Sequence, residues 1–391
     1  MKITDLTTHG VAVSPQRSWL FIAVRTDVGL VGWGEASQTR NDAAVANDVA
    51  AIARQYIGRS PLDLVEPSQI QLRWPYIGKS LHAAVSGIEQ ALWDLSGKKL
   101  GVPVHQLLGG ALRKRLRAYA NVGYALRDES PAEYVRVSRE VVAQGFTAIK
   151  LYAFGEKPDT STGPGALRDW IEAGIERTAA VRSAIGPRID LMVDLMHQID
   201  DFRIALEIAG RLEPQRLFWL EDPFVHEIPE VLERYRTAIR TRLAVGAPCL
   251  DFRHYRALLQ AQATDLLMPD VKWIGGVSAL KKAAVVADVH GLMFAPHNAS
   301  GPIATAASVH ASATASNFSL LEYAWGVPEW RSRLCQGADE IEDGHFIVPD
   351  RAGLGIDLDE SVLHSHAATG SNAAASPMER SSVAQQGRRT A

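Results

Sequence analysis

Short apolar runs that end in a polar residue recur through the second half of the chain. They are Ala148–Tyr152, Ile189–Asp194, Leu217–Glu221, Leu243–Gly246, Leu266–Asp270, Met293–His297 and Ser319–Glu322, with gaps that each leave room for one helix. Strands spaced in this way predict repeated βα units and a parallel sheet buried on both faces. Closed on itself, such a sheet is a barrel, and its terminal Lys, Asp, Glu and His side chains meet at one rim, where the active sites of such barrels lie.

The N-terminal part has a different rhythm. Residues 1 to about 36 alternate as strands do, and Trp19–Arg25 turns at Asp27-Val28-Gly29 into Leu30–Glu35, which predicts an antiparallel meander. From Asn41 to Leu108 the period becomes helical, through Ala44, Val45, Val49 and Ile52 and then Ala84, Val85, Ile88, Ala91, Leu92 and Leu95. The expected organisation is an α+β unit over 1–117, a βα region over 118–325, a C-terminal segment over 326–364 and a disordered Ala/Ser-rich tail over 365–391. The stretch Phe154–Gly165 is a long loop after the second barrel strand, either a functional lid or an insertion.

Composition narrows the class. With 391 residues the chain can build two domains with large cores, and 47% hydrophobic with 22% charged residues describes a soluble globular protein. A net charge of −3 gives no reason to expect nucleic acid or an anionic membrane as partner. Two cysteines, Cys249 and Cys335, suit a reducing cytoplasm rather than a disulfide scaffold. No signal peptide follows Met1, and apolar runs such as Ala283–Val289 are too short to span a bilayer, so a cytoplasmic location is expected.

Three motifs carry a resemblance. The helical segment Ala84–Lys98 continuing through Pro103–Gly109, the strand Gly32-Trp33-Gly34-Glu35-Ala36 and the run Trp219-Leu220-Glu221-Asp222-Pro223 resemble, in order, the mandelate racemase and muconate lactonizing enzyme family. The resemblance runs from about Lys2 to Asp359. It implies the enolase-superfamily architecture: an N-terminal α+β capping domain, completed by the C-terminal segment, over a modified TIM (β/α) barrel. It also implies the chemistry, removal of a proton beside a carboxylate with the enediolate stabilised on a divalent metal, usually magnesium. Relatives commonly form homo-oligomers, so a homo-oligomer is expected.

Such a proton is weakly acidic, so catalysis needs a base at that carbon and positive charge at the developing oxyanion. Lys150 resembles the first lysine of the family's Lys-x-Lys motif; the second is Tyr152 here, on the same face of the strand and either a base or a packing residue. Asp270 and His297 resemble an Asp–His dyad, in which the carboxylate holds one imidazole nitrogen and leaves the other to exchange a proton. Glu322 resembles the eighth-strand acid that hydrogen-bonds the substrate oxyanion, with a structural salt bridge as the rival reading. Arg17, with Trp19 beside it in the capping loop, can clamp a substrate acid or lie in solvent.

The metal site departs from the family pattern. Glu221 fits the fourth-strand ligand, but the fifth-strand Gly-Glu is Gly246-Ala247 here, and alanine cannot coordinate Mg2+. Asp194 is the third-strand candidate, one residue too early relative to His197 unless a bulge absorbs the extra residue. His197 can be a second base or a structural residue, and Lys272, if it is not on the surface, a cation that replaces a lost metal. The reading taken forward is an enzyme that dehydrates a sugar acid (an aldonate or aldarate) to a 2-keto-3-deoxy acid. Lys150, Tyr152 or His197 would act as base and His297 as acid. The alternatives are a racemase, epimerase or cycloisomerase on a related carboxylate, or a divergent member that binds a ligand or partner without turnover.

Overall fold

A computed structural model describes residues 1–14, 17–37, 41–63, 78–159, 164–336 and 341–368. The tail expected to be disordered falls mostly outside the described residues, as do 160–163 of the long loop after the second barrel strand.

The meander forms as its alternation predicts. β1 (Ile3–Ser14), β2 (Arg17–Thr26) and β3 (Val31–Glu35) pair antiparallel in that order. Helices α1 (Asp42–Ile52) and α2 (Lys79–Leu100) cover it and share an apolar core in which Leu20, Ile22 and Val24 meet Val45, Val85, Ile88 and Leu92. The glycines of Gly32-Trp33-Gly34 follow from this packing. A Cβ at Gly34 would lie 1.7 Å from the Gly87 carbonyl oxygen, so only glycine lets strand and helix backbones approach this closely.

After the short α3 (Val104–Leu107) the chain alternates strand and helix. The order is β4 (Arg115–Asn121), α4 (Pro131–Ala143), β5 (Ala148–Leu151), α5 (Pro164–Ile185), β6 (Asp190–Asp194), α6 (Phe202–Leu212), β7 (Trp219–Glu221) and α7 (Pro229–Ala238). It continues with β8 (Leu243–Val245), α8 (Phe252–Gln260), β9 (Leu266–Leu267), α9 (Val277–Val289), β10 (Met293–Phe294), α10 (Pro302–Ala313) and β11 (Leu321–Ala324). From β4 to β10 neighbours in sequence are parallel neighbours in the sheet, and β11 pairs parallel with β4. A parallel bridge between Phe294 and Phe318, with Ser319 N donating to Phe294 O at 2.9 Å, joins the last two strands and closes the barrel. Its interior is filled by Tyr119, Ala148, Met192, Trp219, Ala244, Leu266, Ala295 and Leu320, one from each strand or its edge. It is a packed core, not a pore.

The C-terminal segment comprises α11 (Arg331–Leu334), β12 (Cys335–Gln336), β13 (Ile341–Glu342), β14 (His345–Ile347), β15 (Asp357–Leu358) and α12 (Glu360–Ser365). It touches both units: β14 runs antiparallel to the start of β4, whereas Glu360 pairs with Arg25 at 2.7 Å and Asp357 with Lys98 at 2.6 Å. No described helix is long and apolar enough to cross a membrane.

Buried carboxylates hold the N-terminal unit over the barrel mouth. Helix N-termini carry unpaired N–H groups and a partial positive charge. Glu35 accepts from Gly301 N (2.7 Å) and Ala304 N (3.0 Å) at the start of α10. Glu89 of α2 accepts from Val277 N (2.6 Å) and Ser278 N (2.9 Å) at the start of α9, and from Trp93 Nε1 (2.8 Å). Burial pushes the Glu89 carboxyl up to about 7 in spite of these donors. A carboxyl whose folded pKa is raised contributes stability below its unfolded value, near 4.5, and loses that contribution as pH rises toward about 7. Thermal unfolding of Glu89→Gln beside the unaltered protein at pH 5 and pH 8 should therefore show the unaltered protein losing stability relative to the variant, by about 3 kcal/mol. A difference between the two proteins that does not change with pH would contradict this.

Candidate active site

Polar ends of four barrel strands meet at one ammonium. Lys150 of β5 is fully buried, and its Nζ lies 2.6 Å from Glu221 Oε1, 3.1 Å from Glu322 Oε1 and 3.3 Å from Asp194 Oδ2. Burial alone would push the ammonium pKa down, but the Glu221 and Glu322 carboxylates reverse that and hold it well above its ordinary value. Lys150 is thus placed as a cation among three carboxylates.

The carboxylates around it are unequal. Burial opposes ionisation of Glu322, yet Lys150, His297 and donors from Asn298 N and the Asn121 side chain pull it down to about 2. Glu221 is pushed well above the usual carboxylate range, by burial first and then by Asp194 and Asp222, with Lys150 opposing. Asp194 is raised as well, again mainly by burial.

Tyr152 shares the face of Lys150, but its hydroxyl is tied to Asn121 Nδ2 at 2.5 Å and desolvation pushes the phenol well above its ordinary value. Tyr152 lines the cavity with its hydroxyl accepting from Asn121.

Asp270 and His297 form the expected dyad. Nδ1 of His297 lies 2.8 Å from Asp270 Oδ2 and Nε2 3.8 Å from Glu322 Oε2, and the residue lines the cavity. Lys150 and His297 therefore stand at the two oxygens of the Glu322 carboxylate. Lys272, for which a surface position was the rival reading, is 2% exposed; its ammonium lies 3.2 Å from Asp270 Oδ2 and donates to Ser300 Oγ. Burial raises Asp270, but Lys272 and His297 outweigh it and keep the carboxyl below its usual range.

The odd spacing after β6 has a backbone answer. Asp194 stays in register with Glu221, and the extra residue is taken up by Met196 (φ 55°) and His197 (φ 54°) in the left-handed region. Each costs about 1 kcal/mol for a non-glycine residue. Leu195 N donates to Glu221 O at 2.9 Å and His197 N to Asp222 O at 2.8 Å, which holds the kink against the next strand. As a result Asp194 and His197 both reach the cavity. Nε2 of His197 lies 3.0 Å from Asp222 Oδ2 and Nδ1 3.2 Å from Phe224 O, so both ring nitrogens are engaged. Burial lowers this imidazole, but Asp222 more than compensates and carries it up to about 9.

The cavity above these groups has a volume of about 350 Å³, and the N-terminal unit roofs it with Arg17, Trp19 and Lys79. Sequence reasoning missed Asn121, Asp222, Lys79 and Trp273. Asn121 ends the first barrel strand and was open to the same strand-tip argument; Lys79 and Trp273 carry no local signal, because only the fold brings them to this cavity.

The chain resembles known proteins along most of its length. Residues 6–109 match the mandelate racemase / muconate lactonizing enzyme N-terminal domain, and residues 133–362 match the enolase C-terminal domain-like family. The chain belongs to the mandelate racemase and muconate lactonizing enzyme family. It is 32% identical to a D-galactonate dehydratase of Ralstonia pickettii, over 93% of this chain and 94% of that one. It is likewise 32% identical to a D-gluconate dehydratase of Thermoproteus tenax, over 89% of this chain and 70% of that one. A mandelate racemase/muconate lactonizing enzyme-like protein from Rubrobacter xylanophilus superposes with a TM-score of 0.85 at 33% identity, covering 94% of this chain and 98% of that one.

Enolase-superfamily members use Mg2+, and this chain's residues fit such an ion in spite of Ala247. Carboxylate oxygens of Asp194, Glu221 and Asp222 lie within 4.8 Å of one another, an all-oxygen set of the kind magnesium prefers. Oδ1 of Asp222 is buried without a hydrogen-bond partner, an expensive state for a carboxylate oxygen unless a cation faces it. Titrating the protein with Mn2+ by electron paramagnetic resonance should show binding weakened about tenfold or more in Asp222→Asn, and strengthened in Ala247→Glu. Equal affinity in all three proteins would remove Asp222 from the site. Lys150→Met should lower stability to urea by about 3–5 kcal/mol, because the carboxylates would lose their common counter-charge; an unchanged unfolding midpoint would show that Lys150 does not hold the rim together.

Proposed function

We propose that this protein is a hydro-lyase that dehydrates a sugar acid to a 2-keto-3-deoxy acid. The observation that carries the reading is the free Nε2 of His297. Lys150 is enclosed by three carboxylates, the Tyr152 hydroxyl accepts from Asn121 and both nitrogens of His197 are engaged. Among the described residues lining the cavity, His297 thus offers the one imidazole nitrogen without a hydrogen-bond partner, and Asp270 on Nδ1 fixes the tautomer that keeps it available.

The substrate carboxylate lies at the cavity floor. His297 Nε2 takes the proton from C2, and the C–H electron pair moves into the carboxylate as an enediolate, whose new charge needs a cation beside it. The same imidazole, now protonated, returns the proton to the C3 hydroxyl as the C3–O bond breaks. Water leaves, and the resulting enol becomes the 2-keto acid. A divalent cation, held by Asp194, Glu221 and Asp222, would add positive charge at the substrate carboxylate. His197 has a positioning role in this reading, since it braces Asp222.

Support also comes from the relatives, named as D-galactonate and D-gluconate dehydratases at 32% identity. Racemisation needs proton transfer on both faces of the carbon, and one free nitrogen serves one face. The test is incubation with a panel of sugar acids in D2O with magnesium, following 2-keto acid and deuterium at C2. His297→Asn should abolish both exchange and elimination, a loss of about 1000-fold or more, whereas His197→Asn should retain C2 exchange. If His197→Asn alone stops exchange while His297→Asn preserves it, the assignment is wrong; a D/L mixture without keto acid would point to racemisation.

A further inference from the structure

The roof of the cavity carries more positive charge than a simple aldonate can use. Arg17, the first residue of β2, places its guanidinium carbon 3.5 Å from the centroid of the Tyr124 ring. Lys79, the first residue of α2, places Nζ 3.5 Å from the centroid of Trp273, and that ring is stacked on His297 with centroids 5.4 Å apart. Both cations line the cavity. Neither lies within ion-pair distance of a carboxylate among the described residues; aromatic faces hold them instead, which orients a cation without neutralising it. Lys272, 5.3 Å from the centroid of Trp273, differs in that Asp270 already answers its charge.

The reading of the reaction given above uses the cavity floor for the carboxylate beside the reacting carbon. The rest of the substrate then extends upward past His297 toward Trp273 and the roof. An aldonate ends there in a neutral hydroxymethyl group, which leaves two cations facing it. An aldarate ends in a second carboxylate, which can take a forked pair of hydrogen bonds from a guanidinium and one more from an ammonium.

We propose that the substrate is a dicarboxylic sugar acid whose remote carboxylate is received by Arg17 and Lys79. The inference rests on the dehydratase reading and separates this chain from relatives named for monocarboxylic acids. Arg17 and Lys79 come from the N-terminal unit and their aromatic partners Tyr124 and Trp273 from the barrel, so both cations are held in this way only when that unit sits on the barrel, and substrate length is measured from the barrel floor to the roof.

The experiment compares kcat/KM for galactarate and glucarate with that for galactonate and gluconate, using the full-length protein with magnesium. The expected result is a preference for the diacids of roughly tenfold or more, since a site built for a polar group rejects a substrate lacking it. Arg17→Met and Lys79→Met should each cut kcat/KM for the diacids by about tenfold, chiefly through KM, and so narrow the preference for diacids over monoacids. Calorimetric binding of galactarate to the His297→Asn protein supplies a second readout independent of turnover, and it should weaken when Arg17→Met or Lys79→Met is added. Turnover of the monoacids equal to or better than the diacids overturns this inference and leaves the dehydratase reading standing. Absence of 2-keto acid from every substrate, with no galactarate binding, overturns both.

Discussion

The active site depends on one buried ammonium. Three carboxylates from separate strands cannot occupy a dry barrel mouth together unless something positive lies between them, because burying an unpaired charge costs several kcal/mol. Lys150 supplies that charge from the middle of β5, at distances of 2.6 to 3.3 Å. Its effect is graded. Glu322, which also has Asn121 and Asn298 as donors, is held ionised, whereas Glu221 and Asp194 are shifted toward the neutral form. One lysine is thus enough for Glu322 but not for the Asp194–Glu221–Asp222 side, and the shortfall lies where a divalent cation fits. The orphaned Asp222 Oδ1 lies on that same side.

A second constraint lies outside the barrel. The strand tips line the cavity from below, and the N-terminal unit fixed over them supplies its roof. That attachment uses buried carboxylates as plugs for helix N-termini, Glu35 on α10 and Glu89 on α9. Such contacts are directional where apolar packing is not, so they set the angle of the unit as well as its adhesion. The plugged helices follow β9 and β10, the strands that lead to Asp270 and His297, so the roof is registered against the dyad itself.

Much of this could be read from the chain. Polar residues at the ends of buried strands had to converge if the sheet closed, and Lys150, Asp194, Glu221, Asp270, His297 and Glu322 do so. Three features resisted reading for physical reasons. The extra residue between Asp194 and His197 gave no sign that it would be absorbed by two left-handed residues, since Met196, the first of them, is not a residue type that favours that conformation. Lys272 read as a surface lysine because a charged residue two positions past a strand end usually is one; burial depended on Asp270 and Ser300 being there to receive it. Tyr152 occupied the position of a base, and only Asn121, on a neighbouring strand, shows that its hydroxyl is tied.

The placement of the two imidazoles argues for elimination on topological grounds. His197 follows β6 and His297 follows β10, strands four places apart in a closed ring of eight, so they belong to opposite walls of one cavity. Two histidines on opposite walls are what a racemase requires, and by strand position alone this chain qualifies. Hydrogen bonding breaks the symmetry. Asp270 takes one nitrogen of His297 and leaves the other free, whereas Asp222 and Phe224 O engage both nitrogens of His197. A single exchanging nitrogen must take and return the proton on the same side of the substrate. In an elimination the departing hydroxyl can receive it there, but inversion of a carbon centre cannot be completed from one side.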